Sequence, residues 1–196
     1  NVMKRIQLLL GAALCLLVIA LAFLGYRWYL TPPELHGTLV QEDWATTDFT
    51  LQAADNQTVS LGDFRGKLVL LYFGYTHCPD ICPTTLADAK VAMQALGAQA
   101  DDIQLVMVSV DPERDSPEIL AEYVQRFDPR FLGVTGTVDE VTAAATAYGA
   151  TFFKEAGSEA TGYLVAHSTQ LVVLDRQGHV RHIFPFGVTG EDMAAD

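Results

Sequence analysis

Basic residues are scarce in this 196-residue chain, where 12 Lys and Arg stand against 24 Asp and Glu for a formal charge of −12. Three of the basic residues and none of the acidic ones precede residue 31, so residues 31–196 carry a formal charge of −15. A surface that acidic argues against a nucleic-acid binder and against a domain lying flat on anionic lipid. Its ordinary meaning is solubility, with attraction for cations or a basic protein face as the alternative. Internal repeats of twenty to fifty residues are absent, as is any stretch of low complexity, which removes solenoids and propellers from consideration. Cysteine is rarer still, with three in the chain.

What is present begins with an uncharged run, Leu8 to Leu24, preceded by Lys4 and Arg5 and followed by Arg27, Trp28 and Tyr29. With Ile6 and Gln7 it approaches the roughly 20 residues that a helix needs to cross a hydrocarbon core. The flanking charges place the N-terminus in the cytoplasm and the rest across the membrane, with the aromatic pair at the far interface. Ala20-Leu21-Ala22 resembles a cleavage site, but apolar residues continue past it, so residues 1–30 read as an uncleaved single-pass anchor. Cys15 lies mid-span behind Leu14, where a lipoprotein acceptor would want a small residue, and reads as packing filler. Thr31-Pro32-Pro33-Glu34 breaks the helix and opens a linker, residues 31–40, that contains a solvated His36. Residues 41–196 then suffice for one globular domain with a core of its own.

That domain is organised around Gly74-Tyr75-Thr76-His77-Cys78-Pro79-Asp80-Ile81-Cys82-Pro83-Thr84-Thr85-Leu86. Two cysteines four apart, each followed by proline, separate an apolar strand, Leu68 to Phe73, from a segment of helical periodicity that runs to Leu96 and stops near Gly97. Proline is tolerated in the first helical turn, so the helix is expected to begin at Pro83 with Cys82 at or near its N-cap. Cys82 then faces the positive end of the helix dipole, which favours thiolate. Residues four apart in a helix lie within disulfide reach, so the pair could oxidise or close on one metal ion. Spacing alone leaves redox dithiol, metal site and structural disulfide open, because the thioredoxin-type dithiol has two intervening residues and this has three.

Short β-rich runs at Asp48 to Leu51 and Thr58 to Leu61 predict a hairpin around Asp55-Asn56, ahead of the Leu68 strand, which is apolar on both faces and belongs mid-sheet. A second buried strand, Ile103 to Val110, follows the cysteine helix. Strand, helix, strand at this spacing is a parallel crossover that carries both the cysteine loop and Asp111-Pro112-Glu113-Arg114-Asp115 to the carboxyl edge of the sheet, where α/β folds bind ligands. The charged segment reads chiefly as a turn and a cap for the helix opened by Ser116 and Pro117. A further helix, Val138 to Tyr148, has a capping box in Thr137 and Glu140. A polar insertion between Thr151 and Gly162, with Lys154, Glu155 and Glu159, reads as a mobile loop or short hairpin. Strands Leu171 to Leu174 and His179 to Phe184 and a helix start at Thr189 complete a thioredoxin-like α/β outline behind an N-terminal transmembrane helix.

Five histidines are available. His36 sits in the linker, His179 after a turn and His182 in a strand, while His77 adjoins Cys78, too close to share one metal comfortably. His167 stands at the head of a late strand and is the one placed like a ligand, though a lone strand histidine is more often merely hydrogen-bonded. Taken together in this order, Gly74 to Leu86, Ser109-Val110-Asp111-Pro112-Glu113-Arg114-Asp115 and Tyr163-Leu164-Val165-Ala166-His167-Ser168 resemble the Sco/SenC family of copper chaperones over roughly residues 41–192.

The resemblance implies a membrane-anchored thioredoxin-like domain in the periplasm of a bacterial inner membrane, or its mitochondrial equivalent. It implies copper as Cu(I) or Cu(II), held by Cys78, Cys82 and His167 and delivered to the binuclear centre of the copper-binding subunit of cytochrome c oxidase, with an upstream periplasmic copper donor. One departure is that many members have aspartate before the histidine, where this chain has Ala166, which leaves the imidazole less firmly oriented. Two thiolates and an imidazole suit Cu(I), although zinc would accept the same set. The alternatives are a thiol-disulfide reductase using Cys78 and Cys82 as a redox-active dithiol, and a peroxidase of the peroxiredoxin type.

Overall fold

A computed structural model describes residues 2–30, 34–41, 44, 47–158 and 162–196. The helix-breaking Thr31-Pro32-Pro33 and the loop residue Glu159 lie outside the described residues. The chain divides into two compact units, Asn1–Glu34 and Leu35–Asp196. The first is one helix, α1 (Val2–Leu30), exposed along its described length. Its 29 residues extend about 44 Å at ~1.5 Å per residue, more than the ~30 Å of a hydrocarbon core.

The second unit is built on a six-stranded sheet, ordered β1 (Thr38–Leu39), β10 (Val180–Phe184), β9 (Leu171–Leu174), β4 (Leu68–Gly74), β5 (Ile103–Ser109) and β6 (Leu132–Val134). β4, β5 and β6 run parallel, whereas β9 is antiparallel to β4, β10 to β9 and β1 to β10. The inner order β10-β9-β4-β5 makes this the thioredoxin-like outline. β4 holds the middle because all of it after Leu68 is apolar or glycine and buried on both faces. β1 falls inside the stretch read from sequence as linker, and β6 was not anticipated; each is two or three residues long and exists by pairing at a sheet edge.

Helix α2 (Ile81–Leu96) crosses from β4 to β5. Cys82, Leu86, Ala89 and Met93, spaced four, three and four apart, form its buried stripe. Full burial of a Leu or Met side chain is worth roughly 1.5–3 kcal/mol. The last helix, α5 (Gly190–Ala195), lies against α2, and Gly190 permits the approach, since a Cβ there would stand 2.4 Å from the Asp88 carbonyl oxygen and 2.5 Å from Val91 Cβ. Helices α3 (Pro117–Gln125) and α4 (Val138–Ala147) start where their caps predict, with Ser116 accepting from the Ile119 N–H and the Thr137–Glu140 capping box closed in both directions.

Two hairpins complete the unit. β2 (Thr50–Gln52) and β3 (Thr58–Ser60) turn through Asp55 and Asn56, both at positive φ. β7 (Phe152–Ala156) and β8 (Tyr163–His167) form a two-stranded sheet of their own, the hairpin reading of the polar insertion. His167 therefore ends β8 rather than heading the strand at Leu171.

Candidate metal centre

The helix after the cysteine loop starts two residues earlier than Pro83 suggests. Asp80 is the N-cap, Cys82 the second helical residue and Pro83 the third, where the missing N–H has no intrahelical partner to lose and residue 79 lies outside the helix. Asp80 makes no side-chain cap. Instead the Cys82 backbone N–H donates to Cys78 Sγ at 3.4 Å, so a sulfur serves the orphan donor at the helix N-terminus.

This geometry reverses the expected division between the thiols. Cys82 lies on the buried stripe of α2 with no exposed surface, whereas Cys78 is half-buried on the loop. The Cys82 thiol donates to Cys78 sulfur and brings the Cys78 thiol down to about 3, against the opposing effect of burial; His167 and the backbone N–H groups of Cys82 and Asp80 add to the lowering. The same hydrogen bond, together with burial, pushes the Cys82 thiol up. Cys78 is the thiolate of the pair, not Cys82.

His167 arrives from β8. Its Nδ1–H donates to the Ser168 carbonyl oxygen at 2.9 Å, which turns Nε2 toward the sulfurs, 3.5 Å from Cys82 Sγ. The rings of Tyr75 and Tyr72 meet the imidazole edge-on, with centroids at 5.7 and 6.3 Å. The backbone carbonyl and these rings orient the histidine without a carboxylate at Ala166, which sits opposite Phe153 in the hairpin. Ligand atoms of Cys78, Cys82 and His167 all lie within 4.8 Å of one another, the single such group of three or more among the described residues. Cys78 and His167 line an open cleft of about 350 Å³ with Tyr75, Ile81, Leu164 and Glu155.

Beneath the sulfurs, Tyr72 is fully buried in β4 and its hydroxyl donates to Cys82 Sγ at 3.4 Å. The contact needs Gly74, where a Cβ would stand 2.7 Å from Tyr72 Cε1 and 2.9 Å from Cys82 Sγ.

The charged segment after β5 ties the two halves of the site together. Buried Asp115 accepts from Ser109 Oγ (2.6 Å), from the Thr76 backbone N–H (3.0 Å) and from Thr76 Oγ1 (2.5 Å), which pins the entry to the cysteine loop. Asp111 pairs with Arg114 and accepts from Tyr163 Oη at 2.6 Å, while the Arg114 guanidinium lies 3.7 Å over the Tyr163 ring and donates to the Tyr163 carbonyl at 3.1 Å. Tyr75 Oη accepts from the Val165 N–H at 3.3 Å. The segment therefore does more than turn and cap. Sequence reading assigns no role to Tyr72, Tyr75 or Tyr163; for Tyr72 the one available signal is that a tyrosine in an apolar strand needs a partner for its hydroxyl.

The other histidines stand apart from this group. His77 is exposed, 3.0 Å from Thr76 Oγ1. His36 is no free linker residue, since its backbone and ring bind the Asp196 carboxylate, as does the ring of His182, which points inward beside Phe184. His179 lies 3.5 Å from Asp175.

Comparison with known proteins places these features. The family model described as SCO1/SenC matches residues 39–196. The chain is 41% identical over 133 residues to the Mus musculus protein SCO2 homolog, mitochondrial, a match covering 67% of this chain and 52% of the relative. It thus spans about half the length of that curated relative. Among solved structures it is similar to apo Sco1 from Thermus thermophilus, at 34% identity and a TM-score of 0.75 over 83% of this chain and 95% of the other. It is also similar to Bradyrhizobium japonicum ScoI with copper bound, at 34% identity and a TM-score of 0.70 over 77% and 96%.

Proposed function

Since the chain belongs to the SCO1/SenC family, we propose that it is a membrane-anchored copper carrier in which Cys78, Cys82 and His167 hold the ion as cargo and hand it to the copper-binding subunit of cytochrome c oxidase. The observation that carries this reading is the convergence, within 4.8 Å, of a sulfur from the loop after β4, a sulfur from the first turn of α2 and an imidazole from a separate hairpin. Two soft sulfurs and one imidazole nitrogen fit Cu(I), and with a further donor would accept Cu(II). A similar protein solved with copper bound supports the metal. The open side suits transfer: Cys78 and His167 border the cleft and can exchange with an incoming ligand while Cys82 holds from below.

Residues 1–30 serve as the anchor, and the unit Leu35–Asp196, β1 included, as the copper-binding domain on the periplasmic face, or the equivalent face of a mitochondrial inner membrane. A periplasmic donor supplies the ion. The low-lying Cys78 thiolate beside a buried Cys82 thiol also supports a second reading, a thiol-disulfide reductase that keeps the oxidase cysteines reduced.

Copper titration of the reduced chain in detergent against a competing chelator tests the two readings. One copper per chain is expected, lost on Cys78→Ser or Cys82→Ser. His167→Ala is expected to weaken binding by more than the roughly 10–100-fold that loss of an outer partner costs, with dithiol oxidation intact. Unchanged copper affinity in His167→Ala would leave the reductase reading in its place.

A further inference from the structure

Tyr72 occupies a position where packing alone asks for phenylalanine. Its side chain is fully buried in the central strand, and a hydroxyl taken into such a place without a hydrogen bond costs several times what the bond returns. The acceptor it meets is Cys82 Sγ, at 3.4 Å. A second position serves the same contact, because any side chain at Gly74 would wedge between the Tyr72 ring and that sulfur. The hydroxyl approaches Cys82 from the core, while Cys78 and His167 face the cleft.

We infer that Tyr72 is a positioning residue that sets the balance between Cu(I) and Cu(II) at this site, acting through the sulfur of Cys82. The inference rests on the copper reading above. A hydrogen bond to a metal-bound thiolate favours the form with more negative charge on sulfur. With Cu(I) the sulfur keeps that charge, whereas with Cu(II) it gives more of it to the metal. A donor hydroxyl at Cys82 therefore stabilises the Cu(I) form more than the Cu(II) form, which is how hydrogen bonding around a cysteine sulfur tunes copper–thiolate centres. The bond is present before metal arrives, so the preference is built into the fold.

The test compares the full-length chain with Tyr72→Phe, which keeps the ring that fills the core, and with Tyr72→3-fluorotyrosine, whose hydroxyl is the stronger donor. Association constants for Cu(I) and Cu(II) are each measured by competition with a chelator specific for that ion, and the sulfur-to-Cu(II) charge-transfer band is recorded. In Tyr72→Phe the ratio of Cu(I) to Cu(II) association constants is expected to fall about tenfold, equivalent to about 59 mV in a one-electron potential, and the band to move to longer wavelength. The fluorinated variant should move both in the opposite direction. A ratio and band unmoved in both variants overturn the inference and leave the carrier reading standing. A native chain that binds neither ion overturns both.

Discussion

Cys78 and Cys82 are four residues apart and chemically unlike. The loop cysteine collects a thiol donor, a helix-terminal N–H and an imidazole neighbour, while the helical one is sealed into the core. Stable thiolate at Cys78 is expected above pH 3 or so and is lost as pH falls through its folded value of about 3. Iodoacetamide should accordingly alkylate Cys78 of the native reduced chain at a rate nearly flat between pH 5 and 8, and leave Cys82 untouched until the chain is unfolded; peptide mass spectrometry reads both. A rate that climbs tenfold per pH unit toward pH 8, as for an ordinary thiol of pKa ~8.5, would refute the assignment. At this scale the family resemblance implied Cys78, Cys82 and His167, while the spacing by itself left the site open and misassigned the thiolate. The reason is the helix start: with Pro83 taken as the first helical residue, Cys82 dropped out of the stripe that Leu86, Ala89 and Met93 define, and its burial went unseen. Tyr72 was invisible for a different reason, since its partner is set by the approach of α2 to β4 and by the missing side chain at Gly74.

Among the elements, those written in local signals were legible. Ser116, Thr137 and Thr189 each cap the helix that follows them, and β4 and β5 announce themselves as apolar runs. β1 and β6 carry no such signal, because two or three residues at a sheet edge become strand by pairing. The β7–β8 hairpin is the element on which the site depends most, since it brings His167 and shares no strand pairing with the main sheet. Its anchorage is side-chain chemistry: Tyr163 on Asp111 and under Arg114, and Tyr75 on the Val165 N–H. Tyr163→Phe removes one hydrogen bond to a carboxylate, worth about 1.5 kcal/mol, or roughly tenfold in a local opening constant. Amide exchange at residues 163–167 should quicken by about that factor while β4 and β5 keep their protection. Equal acceleration in hairpin and sheet would mean that the hairpin is not held independently.

For the whole molecule, the charge distribution supplies a direction. Lys4 and Arg5 precede the apolar run within α1, one Arg27 follows it, and the acidic surplus lies entirely beyond residue 30. On the topology proposed above, the positive-inside rule is expected to send residues 34–196 across the membrane. A reporter joined after Asp196 should be active only on the far side, and protease added to spheroplasts should digest the domain while sparing the segment around Lys4. Reporter activity in the cytoplasm would reverse the orientation and place the dithiol in a reducing compartment.

The sheet also has a history in time. β4 pairs with β5 about a third of the way along the sequence distance that separates it from β9, and β1 waits for β10, where Thr38 meets Ile183. Cys82 and His167 are 85 residues apart, so a chain lengthening at ~5–20 residues per second passes roughly 4–17 s between making the second thiol and making the imidazole. Through that interval the cysteine loop and the helix beneath it can form from what has already been synthesised, and the histidine cannot be there. The newborn site is therefore a bare dithiol until residue 167 is added.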